Sequence, residues 1–470
     1  MRVLFVMLLG SLMACGDGLD SRGLGGHTSQ SPQGTNGTGG VVNPGGPSGE
    51  EGEDGATGST SATGTTGTPG TSGTTGNDTG AKPVDCPQGT GLDLNAPWPT
   101  RGFCPDGQGR SSQNGPLTKP HEVWTADLDW RWINDPVVAA DGTVYVFAGN
   151  APSVNAAHLY GYDAAGDEVL SLDPGGEILS QPAIGADGFI SALVAKSGGV
   201  RQVLRLDPKG KQLTFANAPK ATSLTLLPNG DLALVSASAT ASDPMRVWSM
   251  KANGTAGAID QTLSAAEILA TKRGLWLRSN GNLAIAAESA VRLLTATGEL
   301  ERDLPTNTFF YFVAFAPGAI LYSSGVADTY FARWDENGVR SYYDFGYTRG
   351  TSTPIARDSD GSIRVGFAQM AEAVGDNSLI AGKIVRYDAD GKKKWTVSTG
   401  PLTDTQPTLG ADGTVYVASR AGTIYAIAPN GGTRWTYDVG AVMNNTQIAI
   451  GLGNKLYVAT EDGRLIALGP

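Results

Sequence analysis

From Glu122 to the C-terminus the chain alternates short, apolar, β-branched runs with turns built on Gly. Two segments display the unit most clearly. One is QPTLGADGTVYVASRAGTIYAIAPNGGTRWTYDVG, from Gln406 to Gly440. The other is DPVVAADGTVYVFAGNAPSVNAAHLYGYDAAGDEVLSLDPG, from Asp135 to Gly175. Each reads as strand, Asp-Gly turn, β-branched strand, third strand, second Gly turn and fourth strand. Asp-Gly suits a hairpin because Gly accepts positive φ and Asp hydrogen-bonds its own backbone. The first turn recurs at Asp141-Gly142, Asp187-Gly188, Asn229-Gly230, Asn280-Gly281, Pro317-Gly318, Asp360-Gly361, Asp412-Gly413 and Gly453-Asn454. The second recurs at Gly166, Gly210, Gly254, Gly298, Gly338, Gly391 and Gly431. Four-strand units of roughly 45 residues are the pattern of propeller blades. The predicted fold is all-β: an eight-bladed propeller of four-stranded antiparallel blades.

The last unit stops after its third strand, RLIALGP. The missing strand is predicted from the other end of the propeller. Trp124 precedes Pro136 by the interval that separates Trp395 from Pro407 and Leu170 from Pro182. EVWTADL, from Glu122, therefore matches a fourth strand and is expected to close the ring against blade eight, removing two exposed sheet edges.

The Asp388-Ala389-Asp390-Gly391 turn running to Trp395, and Gly431 running to Trp435, resemble the D-x-x-G-x-x-x-W element of PQQ-like eight-bladed propellers. That family includes quinoprotein alcohol dehydrogenases and the propeller lipoprotein of outer-membrane barrel assembly. The resemblance covers 122–470 and implies that Trp124, Trp395 and Trp435 dock between neighbouring blades. Leu170 and Thr214 stand at the same place in blades one and two, so the girdle is degenerate. The dehydrogenases carry adjacent cysteines over the quinone and a calcium near a catalytic Asp. This sequence has no adjacent Cys pair, and neither a cofactor nor a metal is expected. Fold alone does not imply function.

The N-terminus places the propeller. Arg2 precedes an apolar run from Val3 to Ala14, which is too short to cross a bilayer and reads as a signal sequence. Leu12-Met13-Ala14-Cys15 resembles a lipoprotein lipobox, which implies cleavage after residue 14 and lipidation of Cys15. Residues 16–85 hold 21 Gly and no Phe, Trp or Tyr. Such a stretch buries too little apolar surface to offset its ordering entropy, and is expected to be a disordered tether. As a coil its ends would lie roughly 45 Å apart. Cys86 and Cys104 then remain as a pair, expected to be disulfide-bonded in an exported chain. The expected organisation is thus 1–14 signal peptide, 15–85 tether, 86–121 disulfide-closed segment and 122–470 propeller.

Charge narrows the partners. The chain carries 45 acidic and 34 basic residues, of which residues 16–85 hold eight and two. A mildly acidic body without a basic stretch argues against nucleic acid, whose phosphates require clustered Lys and Arg. Asp358-Ser359-Asp360-Gly361 and Asp388-Ala389-Asp390-Gly391 sit where the repeat demands turns and lack the remaining acids of a calcium loop. His27, His121 and His158 define no catalytic constellation. Blade five holds FFYFVAF from Phe309, which reads as core because propeller strands are covered on both faces. Tyr342, Tyr343, Phe345 and Tyr347 form a candidate exposed face for a peptide or glycan. Long hairpins at 148–158 and 369–382 are further candidates for contact loops.

The expected function is a non-catalytic binding or scaffolding module, exported and lipid-anchored, at the periplasmic face or surface of an outer membrane. An envelope protein or a glycan is its expected partner. The alternatives are an accessory lipoprotein of outer-membrane barrel assembly and, third, a quinone- or small-ligand-binding enzyme.

Overall fold

The structure is a computed structural model. It describes Cys86 and residues 91–470 apart from 105, 129–131, 150–156, 237–243, 265–273, 279, 288–289, 306–309, 317–318, 325–329, 336–339, 345–349, 372–377, 403–405 and 444–446. The signal sequence, Cys15 and the tether lie outside the described residues, which all belong to the compact unit Gly76–Pro470. Among the described residues the only helical piece is the 3-10 turn Ser197–Gly199.

The described strands form eight antiparallel sheets, the architecture of a β-propeller. Seven are sequential, spanning 132–172, 177–217, 221–263, 275–305, 310–344, 350–399 and 408–438, and are called blades 1 to 7. The eighth joins Ala449–Gly451, Lys455–Ala459 and Arg464–Gly469 to His121–Asp127. In it Trp124 stands opposite Ala467, as Trp435 stands opposite Ala426 in blade 7. The register shifts just before the Trp in both strands, at Val123 and Arg434, and again before Trp395 at Lys394. A bulge at that point turns the next side chain toward the neighbouring blade.

Both turns use the chemistry of their residues. Gly142, Gly188, Gly361 and Gly413 have φ between 76° and 88°. The carboxylate of Asp141 accepts from Thr143 N at 2.9 Å, and that of Asp412 from Thr414 N at 3.0 Å.

The second strands of blades 1 and 2, Val144–Gly149 and Ile190–Ala195, are apolar on both faces because each face meets a different blade. In Val144–Gly149, Val144 and Val146 pack with Tyr457 and Leu465 of blade 8. Tyr145 and Phe147 turn the other way, to Ile184 and Leu204 of blade 2. Each such fully buried side chain contributes roughly 1.5–3 kcal/mol.

The docking residues follow from the second turn. A Cβ on Gly166 would lie 2.6 Å from Trp124 Cγ, and one on Gly431 would lie 2.8 Å from Trp395 Cγ. Leu170 occupies the same place against Gly210, and Ile259 against Gly298. Trp395 donates Nε1–H to Pro429 O at 2.9 Å across the boundary between blades 6 and 7. Trp124 lies between Tyr162 of blade 1 and Tyr457 of blade 8, with ring centroids 5.8 and 5.7 Å away. Gly431→Ala combines a steric clash with φ of +92° and is expected to cost about 2–3 kcal/mol. Gly440→Ala, at φ +71° with open space around it, should cost only about 1 kcal/mol. Urea unfolding of the two variants checks the difference, which vanishes if docking is unimportant.

Blade 8 has no second turn of its own, because its third and fourth strands come from opposite ends of the propeller segment. Residues leading into His121–Asp127 take that place. Trp435 donates Nε1–H to Pro116 O at 2.9 Å, and Tyr416 donates its hydroxyl to the same oxygen at 3.2 Å. Pro208 and Pro429, in the second turns of blades 2 and 7, accept from Tyr145 and Trp395 in the same manner.

Candidate functional site

The segment 91–116 crosses the inner strands of the propeller rather than hanging from its edge. Backbone bridges join Leu92 to Gly185, Thr100 to Ala183, Trp98 to Val138 and Arg110 to Leu409, so it touches blades 2, 1 and 7. Gln108 O accepts from Arg357 N of blade 6 at 2.7 Å. Cys86 and Cys104 are disulfide-bonded with Cα atoms 5.7 Å apart. Trp98, Phe103 and Cys104 are all buried against blades 1 and 8. The described segment 91–116 is thus a plug held by the propeller, and the disulfide, which closes a 19-residue loop, contributes about 3 kcal/mol in the chain-entropy model.

Three of four copies of one repeat position, the residue seven before the last residue of the first turn, hold the plug. In blades 1, 2, 7 and 8 it is Asp135, Gln181, Gln406 and Gln447. Asp135 pairs with Arg101 Nη1 at 2.7 Å and accepts from Gln447 N at 2.5 Å. Gln447 Oε1 accepts from Gly102 N at 2.9 Å. Gln406 Nε2 donates to Gly107 O at 2.6 Å and to Ile355 O at 2.8 Å. None of these four residues stood out from the sequence, although the recurring Gln-Pro of Gln181-Pro182 and Gln406-Pro407 was a usable signal.

Asp106 is the plug's most perturbed carboxyl. Burial raises it to about 6, against the opposing effects of the Gln108 Nε2 hydrogen bond at 2.8 Å and the Arg357 guanidinium at 3.8 Å. A group held protonated in the fold stabilises it fully below the unfolded value of 3.8, and the contribution is lost as pH rises through about 6. Asp106→Asn should remove that dependence. Its stability relative to the parent should increase by roughly 2–3 kcal/mol between pH 4 and pH 7. Parallel urea titrations at the two pH values check this; equal shifts in parent and variant would refute it.

Beneath the plug lies a cleft of about 100 Å³, open to solvent, between the inner strands of blades 2, 3, 4, 6 and 7. Gln181, Ser223, Thr225 and Trp276 line it on one side, and Arg101 and Gln406 on the side of the plug. Among its described lining residues Arg101 alone is ionisable, and Asp135 faces it.

The other candidate residues are spread around the propeller. Tyr342 and Tyr343 lie on the outer strand Arg340–Asp344 of blade 5, opposite Ala332 and Phe331. Phe345 and Tyr347 lie outside the described residues, as do most of the 148–158 hairpin and residues 372–377. FFYFVAF falls on the strand Phe310–Ala316, apart from Phe309. His158 bonds Ser171 Oγ at 2.7 Å within blade 1. Asp358 takes Arg110 and Arg364 at 3.0 Å each, and Asp360 takes Arg386 at 3.0 Å, so these turn carboxylates serve ion pairs. Among the described residues no group of three or more His, Cys, Asp or Glu is arranged to hold a metal.

The carboxylate and the cysteines on the plug side of the cleft are already engaged. That carboxylate, Asp135, is engaged by Arg101 and Gln447 N, and the disulfide is part of the plug rather than a pair of adjacent cysteines. No described helix is long and apolar enough to cross a membrane.

Residues 381–469 match the family model described as outer membrane protein assembly factor BamB. No curated protein matches the sequence. Among solved structures, quinohemoprotein alcohol dehydrogenase from Comamonas testosteroni is similar, with a TM-score of 0.57 at 12% identity over 81% of this chain and 82% of that one. A europium-containing methanol dehydrogenase gives 0.53 at 11% identity, over 80% and 98% of the two chains. BamB from Moraxella catarrhalis gives 0.51 at 14% identity, over 75% and 100%. At these identities the likeness is one of fold.

Proposed function

We propose that this chain is a non-catalytic binding and scaffolding module of a bacterial envelope, exported and anchored by lipid at Cys15. The observation that carries the reading is the plug. Inner strands of blades 1, 2, 6 and 7 are crossed by the chain's own disulfide-linked segment, and Asp135, Arg101, Arg110 and Asp358 are engaged in holding it. A rigid set of blades tied together in this way is suited to presenting loops and outer strands to a partner. In this reading 1–14 is the signal peptide, 15–85 a tether, 86–121 the plug and its lead-in, and 122–470 the propeller. Tyr342, Tyr343, Phe345 and Tyr347 supply a candidate contact face for an envelope protein or glycan. The outer membrane, at its periplasmic face or surface, is the proposed location.

The match of 381–469 favours one particular scaffold, an accessory lipoprotein of outer-membrane barrel assembly. Affinity purification of the full-length protein from cross-linked, detergent-solubilised envelopes tests both readings, with Cys15→Ser as control. A stoichiometric envelope protein that is lost with Cys15 supports the scaffold, and a barrel-assembly subunit supports the narrower reading. Capture of no protein partner would overturn the protein-scaffold reading and its barrel-assembly form, leaving a glycan as the partner to test.

A further inference from the structure

We propose that the cleft beneath the plug binds a neutral, polyhydroxylated ligand by taking in one sugar ring. The inference goes beyond the scaffold reading and does not depend on membrane anchoring.

The repeat identifies the group that lacks a partner. Gln181, Gln406 and Gln447 occupy one position in blades 2, 7 and 8. The amides of Gln406 and Gln447 are bonded to the plug and to each other. The plug passes Gln181 without bonding it, and the Gln181 Oε1 atom is buried with no hydrogen-bond partner. A buried amide oxygen left unpaired is unfavourable by an amount that a ligand hydroxyl would recover. The hydroxyls of Ser223 and Thr225, both on the inner strand Ala221–Leu226 of blade 3, line the same wall.

The second observation is the indole. Leu275 and Leu277 belong to the hydrophobic core shared by blades 3 and 4, and Trp276 between them, 7% exposed, lines the cleft together with Leu275. An indole beside amide and hydroxyl groups suits a sugar ring, whose C–H face is apolar and whose edge carries hydroxyls. Charge selects against the obvious competitor. Arg101 is already neutralised by Asp135 at 2.7 Å, so a phosphate or carboxylate ligand would have to break a buried ion pair. The cleft holds about 100 Å³ of accessible space, several times what one water needs, and it opens to solvent, so a single ring can enter while the rest of a ligand stays outside.

The full-length protein in detergent would be titrated with cellobiose and with N,N′-diacetylchitobiose, following indole fluorescence, with glucose 1-phosphate as the charged control. The expected result is saturable binding of at least one neutral disaccharide, no tighter binding of the phosphate, and at least tenfold weakening in Gln181→Leu. Thr225→Val should also weaken binding, which keeps the test informative if the first variant folds poorly. Gln181→Leu should melt at or above the parent temperature, since it removes an unpaired amide. The proposal is overturned if neither disaccharide saturates the parent, if both variants bind as the parent does, or if glucose 1-phosphate binds at least tenfold more tightly. Protein capture through the outer surface would be untouched by any of these outcomes, so failure here is separable from failure of the scaffold reading.

Discussion

A chain lacking residues 122–128 is expected to lose most of its stability and to unfold without a single cooperative transition. The strand His121–Asp127 supplies the outer edge of blade 8 and pairs with Arg464–Gly469 at six positions, from His121 opposite Gly469 to Asp127 opposite Arg464. It also carries Trp124, which lies against Gly166, Tyr162 and Tyr457 and so joins blade 8 to blade 1. Loss of a packed Trp alone costs about 3–5 kcal/mol. Removing the strand as well exposes the edge of Arg464–Gly469 and separates Pro116 from the propeller, although Trp435 and Tyr416 both donate to that residue's carbonyl. The sum approaches the whole stability of a typical domain, about 5–15 kcal/mol. Calorimetry of the deletion beside a chain lacking only 20–75 checks this. A deletion of 122–128 that melts like the parent would sink the closure.

Asp135→Ala is expected to destabilise the protein by about 3–5 kcal/mol, because it removes one member of a buried ion pair and leaves the other charge behind. The Asp135 side chain is fully buried and that of Arg101 is 10% exposed, with 2.7 Å between them. The same carboxylate receives Gln447 N, so the plug, blade 1 and blade 8 meet on it. Replacing both partners by apolar residues, Arg101→Met with Asp135→Leu, should restore much of the loss, since no charge is then left unpaired in the interior. Urea unfolding of the singles and the double gives the coupling. Single variants within about 1 kcal/mol of the parent would mean that the plug is not held by this pair.

Much of this fold was legible because propeller blades repeat their own local chemistry. The Gly turns, the β-branched strands and the twelve-residue interval from Trp124 to Pro136 are local or periodic signals, and the sheet pairing follows them. Docking was legible only where it used Trp. Leu170 and Ile259 serve the same purpose against Gly210 and Gly298. Ile259 escaped notice because it lies five residues after Gly254, whereas Trp395 lies four after Gly391 and Trp435 four after Gly431. The aromatic run around Tyr342 drew attention by composition, which marks apolar surface without saying whether another blade covers it.

The candidate site was hidden for a different reason. Sequence determined that blades exist, where their turns fall, and that Glu122 onward completes the last of them, because each of those follows from spacing along the chain. It also determined that Cys86 and Cys104 were available to pair. Only the tertiary structure decided that the segment 91–116, which holds Cys104, lies across the inner strands of the blades. That path joins residues some 300 positions apart, such as Gly102 to Gln447 and Gln406 to Gly107, and no periodicity encodes it. Gln181, Gln406 and Gln447 are equivalent in the repeat and different in the protein. The plug is a single asymmetric segment laid on a repeating ring, so it can satisfy some copies of a repeated residue and must leave another facing the cleft.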